Sequence, residues 1–261
     1  MNRGALKIWL LYLCFFLLFL VNFRLETRIG PTPMMWMILN AGVFVLAVYI
    51  LLKKGIPNCG QIITSLGLGL LMFVAYQGFS LTAVVTFSCS LATFTIFNNY
   101  KANAIKFLKA PNGKGFFSSM RVGLLVGTIL GIINLFLGGG GTSPELKLVV
   151  FTTAISPAVY EEIALRAFIY AFCLYLLKGV INTKFQSFTC YFMMVIPHVM
   201  IHTPDQFINY GLVSGVISII MLTCLFGLPL AYLQRKSDLT SAMIAHGVVM
   251  VIRFLFCGIS G

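Results

Sequence analysis

Nine apolar runs leave this chain little choice of fold. They fall at approximately 7–23, 34–52, 61–78, 81–99, 119–137, 146–177, 187–202, 210–233 and 239–256. A helix needs about 17–25 apolar residues to cross a bilayer, and lipid tolerates only elements that satisfy their own backbone hydrogen bonds. Charged residues make up 9% of the chain, against roughly 25% in an average soluble domain. The expected fold is all-α, a polytopic transmembrane helix bundle of about 8–9 spans. The count turns on the stretch 61–99, whose only polar interruption is Gln77-Gly-Phe-Ser80. A break there gives nine spans; one long tilted helix gives eight.

The loops carry the charge. With the N-terminus inside, nine spans place Arg3, Lys7, Lys53, Lys54, Lys101, Lys106, Lys109, Lys114, Arg121, Lys178, Lys184, Arg235 and Lys236 on the inner side. The outer loops then hold only Arg24, Arg28 and Lys147. That asymmetry is the positive-inside pattern, and it predicts a cytoplasmic N-terminus in a plasma (inner) membrane. The net charge of +12 therefore reads as topology signal and contact with membrane lipid, not as a nucleic-acid surface. The first run lacks a small-x-small cleavage site and reads as a retained helix. The seven cysteines form no CxxC pair and suit packing better than disulfides or zinc. In the basic loop Tyr100–Ser118, Ile105, Phe107 and Leu108 alternate with Lys101, Lys106 and Lys109. That pattern suits either a short helix on the anionic leaflet or a plain basic linker. The glycine-rich run from Gly138 to Pro144 reads as a hinge.

Against this apolar background a few polar residues stand out. The chain has six acidic residues, and two of them, Glu161 and Glu162, lie side by side in the sixth run, with Arg166 four places further on. A charge at bilayer depth costs about 2.5–3.5 kcal/mol on insertion scales, so three in one segment call for a reason. In an α-helix the i, i+4 spacing sets Glu162 and Arg166 on one face within pairing reach, and turns Glu161 about 100° away. Glu161 would then be the freer carboxylate, unless the group is only a buried ion pair that fixes helix packing. Pro157 removes one helical hydrogen bond just before the pair. The three histidines are His198, His202 and His246, all in or at the ends of later runs. His198 and His202 are i, i+4 and could hold a metal or a water. His246 alone in an apolar helix could equally be a packing residue. Counted at about 1.5 Å per residue from the basic anchors, Glu162 and His202 lie roughly 24 and 27 Å up, and His246 only about 15 Å. Together these side chains suit a water-activating site: a glutamate base, with imidazoles that orient water or an oxyanion.

The same residues carry a resemblance. Glu161-Glu162-x-x-x-Arg166 followed by two His-bearing helices resembles the CAAX-processing and bacteriocin-immunity group of intramembrane proteases (CPBP, or Abi), whose eukaryotic members are the type II prenyl-protein endopeptidases. The likeness covers about Leu146 to Phe256. It divides the chain into N-terminal helices with the basic loop, 1–118, and a catalytic core, 119–261. The family's FxxxH motif is replaced here by His198 four places before His202, with Met194 before His198. The HxxxN motif has His246 but Met250. The resemblance implies that Glu161 activates water with help from His202. It further implies that Glu162 supports Glu161, that Arg166 fixes the helix, that His246 stabilises the tetrahedral intermediate, and that His198 is a supporting residue. The substrate implied is a membrane-associated or lipidated protein or peptide. Glu161, His202 and His246 are the ligand set expected if a divalent metal such as zinc is used, although no HExxH is present and a metal-free glutamate mechanism fits as well. The competing readings are a non-catalytic scaffold or immunity protein of the same fold, which the motif departures favour, and a proton- or ion-coupled transporter, for which no broken-helix pair is evident.

Overall fold

The computed structural model describes residues 3–25, 28–110, 112–137, 144 and 146–259. Among these the regular structure is helical, with no strand. The helices are α1 (Arg3–Asn22), α2 (Pro31–Lys54), α3 (Cys59–Ala75), α4 (Leu81–Asn99), α5 (Gly113–Leu137), α6 (Leu148–Leu176), α7 (Lys184–Met200), α8 (Pro204–Lys236) and α9 (Leu239–Cys257). Each expected apolar run has become one of them. Seven are long and apolar enough to cross a membrane; α3 is a shorter apolar helix of 17 residues. The seventh run is displaced by two to three residues towards the N-terminus. α7 has 17 residues, about 25 Å of rise, and His202 lies in the turn beyond its end. The break expected at 77–80 is present: Gln77 adopts a left-handed φ of 52° between α3 and α4. The expected hinge from Gly138 to Ser143 lies outside the described residues.

Two compact units divide the chain. The first comprises residues 1–57, 91–104 and 165–229. In it α1, α2 and α7 pack with the C-terminal part of α6 and with α8. Gly4 lets α1 approach closely, since a Cβ there would meet the Leu176 carbonyl oxygen at 2.5 Å. Trp9 donates to the Thr189 hydroxyl at 3.2 Å and packs on Phe192, with ring centroids 4.9 Å apart. α8 is bent within this unit. Gly211 takes φ 83° and ψ 178°, a conformation open essentially to glycine alone. A π-helical turn at Thr223–Gly227 then sets Gly227 beneath Val195 of α7.

The second unit comprises residues 58–90, 105–164 and 230–261. Its spine is the pair α5–α9. Gly123, Gly127 and Gly131 recur every four residues on α5, and a Cβ on each would meet α9 at 2.5–2.7 Å, at Ser241, Ala245 and Ile252 respectively. Small residues at that spacing let helix backbones approach where lipid supplies no hydrophobic drive for association. The basic loop is neither a surface helix nor a free linker. After a 3₁₀ turn at Lys101–Asn103, the carbonyls of Lys106 and Phe107 accept from the first backbone N–H groups of α9, those of Leu239 and Thr240. Asp238 completes the junction. Fully buried, it caps Ser241 N at 2.7 Å and accepts from Lys109 N at 3.0 Å and the Ser119 hydroxyl at 2.5 Å. These donors offset the desolvation of its carboxylate, and together they fix where α9 begins.

Candidate active site

The Glu161-Glu162-x-x-x-Arg166 motif does not lie on an α-helix. From Pro157 to Ala167, eleven residues of α6 are π-helical. Pro157 has no N–H to give, which frees a carbonyl of the preceding turn, and the chain continues with i→i+5 bonds. π winding within an α-helix is frequent at functional sites. It alters the angular step between residues, so the α-helical arithmetic that set Glu161 100° from Glu162 does not apply here. All residues from Ala158 to Leu174 are buried, Glu162 completely and Arg166 to 2% exposure. Arg166 follows the unit boundary and belongs to the first unit.

Glu162 is held by partners that spacing alone did not assign. Its Oε1 lies 2.7 Å from His246 Nδ1, and its Oε2 accepts from Gln234 Nε2 at 2.6 Å. Gln234 donates also to the Glu162 carbonyl, at 3.0 Å. The other nitrogen of His246, Nε2, stands 3.8 Å from Glu161 Oε2. A carboxylate on Nδ1 fixes both the plane of the ring and the position of its proton. His246 is thus locked on one side by Glu162 and presents Nε2 to Glu161 on the other.

This contact overturns the depth ladder, which set His246 well below the glutamates. The ladder counted residues from basic anchors taken as one common level, a ruler that this contact does not obey. α9 is also held close on both sides of the histidine. Gly127 of α5 lies against Ala245, and a Cβ on Gly247 would meet Ala158 of the π segment at 3.3 Å. Position 250 supplies no polar atom: Met250 packs on the apolar cluster of Val150, Ala154 and Phe254.

The other two histidines belong to the first unit. His198 is buried in the last turn of α7 and His202 is exposed just beyond it. Their Nε2 atoms are 3.3 Å apart, which suits one imidazole–imidazole hydrogen bond. It also suits two nitrogens each about 2.0–2.1 Å from a tetrahedral zinc. Trp36 of α2 sets its plane at 87° to His202 and 79° to His198, with centroids 4.9 and 6.3 Å away. Pro197 lies inside α7 one residue before His198.

Two contributors escaped sequence reasoning. Gln234 lies beside a basic turn, where polarity is expected and draws no notice. The glycines of α5 did leave a signal, in their four-residue recurrence between apolar residues.

Comparison with known proteins bears on the whole of this region. Residues 143–252 match the family described as type II CAAX prenyl endopeptidase Rce1-like. The matched segment contains both glutamates, Arg166, all three histidines and Gln234. Over this segment the chain is similar to that family of CAAX-type endopeptidases. Neither the curated proteins nor the solved structures contain a match to the chain.

Proposed function

We propose that the protein is an intramembrane endopeptidase that hydrolyses a peptide bond of a membrane-associated or lipidated protein, using water activated by Glu161. The observation that carries this reading is the buried carboxylate–imidazole pair beside Glu161: His246 Nδ1 on Glu162 at 2.7 Å, with Nε2 facing Glu161 at 3.8 Å. Such a pair is costly in an apolar helix bundle unless chemistry requires it.

In this mechanism Glu161 takes a proton from water as the oxygen attacks the scissile carbonyl. The carbonyl π electrons pass to oxygen, and the oxyanion accepts a hydrogen bond from His246 Nε2–H. His246, neutral at rest with its proton on Nδ1, becomes an imidazolium by receiving at Nε2 the proton that Glu161 draws from the water and takes back on collapse; the Glu162 carboxylate on Nδ1 balances its charge meanwhile. Collapse of the intermediate breaks the C–N bond, and Glu161 returns the proton to the leaving nitrogen. His202 joins the same reaction on the order of the family motifs and assists the water, while Arg166 fixes the helix. A metal on the His198–His202 pair would supply Lewis-acid activation of water. On this reading the segment 119–261 is the catalytic core, residues 1–118 support it in the bilayer, and the N-terminus faces the cytoplasm.

The scaffold alternative is favoured by one observation, the apolar packing of Met250 where the family often has Asn or Asp. The test is cleavage of membrane-anchored peptides by purified protein in proteoliposomes, with products read by mass spectrometry. Cleavage by the wild type and none by Glu161→Ala, both inserted to the same level, is the expected result. Equal product from both proteins refutes the enzyme reading as written.

A further inference from the structure

One buried polar side chain outside the family motifs directs both of its donor contacts to a single residue of the candidate site. Gln234, in the last turn of α8, is 1% exposed and donates to the Glu162 carboxylate and the Glu162 carbonyl. Chemistry fixes the orientation of this amide, because the flipped rotamer would set its oxygen against two acceptors. Among the described residues Oε1 itself finds no hydrogen-bond donor. Buried amides normally satisfy both ends. Here the acceptor end goes unmet while the donor end holds the side chain and the backbone of the same glutamate.

That double hold restricts Glu162 in two ways. The contact to its carbonyl ties α8 to the π segment, and the contact to Oε2 removes one carboxylate oxygen from competition. Oε1 is then the oxygen offered to His246 Nδ1, at 2.7 Å. The placement of Gln234 is itself secured, since four residues later Asp238 anchors the start of the helix that carries His246.

We propose that Gln234 is a positioning residue for hydrolysis: by fixing the Glu162 carboxylate it sets the tautomer of His246 and keeps Nε2 directed at Glu161. The inference rests on the protease reading for its consequence in catalysis, but not for its first readout.

With only three histidines in the chain, ¹⁵N-histidine NMR in nanodiscs resolves the tautomer directly, and His246→Asn assigns the signal. The wild type is expected to show His246 with a proton fixed on Nδ1. Gln234→Met keeps the length of the side chain and removes both donors; its His246 signal is expected to shift to a mixture of tautomers. Turnover is expected to fall about 10–100-fold with KM changed less than about twofold, as for other groups that orient a reacting side chain. An unchanged His246 signal overturns the proposal whatever happens to turnover, and leaves Gln234 a packing residue. A shifted signal in a protein whose wild type cleaves nothing upholds the clamp and removes the protease reading instead. Should the Met variant fail to fold, Gln234→Asn draws the amide back by one methylene and must give the same shift; a wild-type signal there overturns the proposal equally.

Discussion

The two histidine sites are built in opposite ways. His246 is buried, fixed at Nδ1 by a carboxylate that a buried amide holds in turn, and set on a helix packed glycine against backbone. His198 and His202 touch each other and the edge of one tryptophan, at the end of a short helix interrupted by proline, and His202 is exposed. The first arrangement leaves one protonation pattern and one ring plane. The second sets two ring nitrogens side by side, an arrangement suited to exchange of a proton, a water or a metal. Where charge must appear at one atom, rigidity favours the reaction; where a water must enter and leave, adaptability does.

Six substitutions test that contrast. Glu161→Ala removes the base and is expected to lower turnover on the order of 10⁴-fold, measured as single-turnover cleavage in proteoliposomes. Glu162→Gln leaves the base but loosens the charge balance at His246; the expected loss is on the order of 10³-fold, with substrate affinity retained in a binding assay. In the adaptable pair, His202→Ala is expected to cost on the order of 10²-fold and His198→Ala less than about tenfold. The reverse order in the same assay would make His198 the motif histidine.

The scaffolds differ in the same sense. Gly127→Leu drives a side chain into the backbone of α9 beside His246 and is expected to destabilise the protein by about 3 kcal/mol, read from thermal unfolding in detergent. Gly211→Ala forces a φ of 83° on a residue with a Cβ. The expected loss there is about 1–2 kcal/mol by the same measurement, with the His246 signal unmoved.

Much of the frame was legible in the sequence, for a physical reason. Lipid demands long apolar helices, so hydropathy alone located α1 to α9, and Gln77-Gly-Phe-Ser80 marked the turn between α3 and α4. The order of the glutamates and histidines was legible too, because charges are rare enough here for each to be noticed. What escaped was geometry within the helices. Pro157 announced an interruption but not eleven residues of π winding, since proline removes a hydrogen bond without stating how the next ones close. The depth of His246 was misread because a residue count from basic anchors does not say which side chains meet. Gln234 gave no signal, as a polar residue beside Arg235 and Lys236 looks like part of a solvated turn. The basic loop looked amphipathic, yet its carbonyls are taken up by the start of α9, a long-range pairing that local periodicity does not encode.

The central claim is that Glu161 does the chemistry while Glu162 and His246 hold its surroundings in place. It is tested most directly by measuring turnover and the His246 ¹⁵N signal together in Glu161→Gln protein. Cleavage is expected to be lost while the proton stays fixed on His246 Nδ1 as in the wild type. Turnover at the wild-type rate in that variant would contradict it.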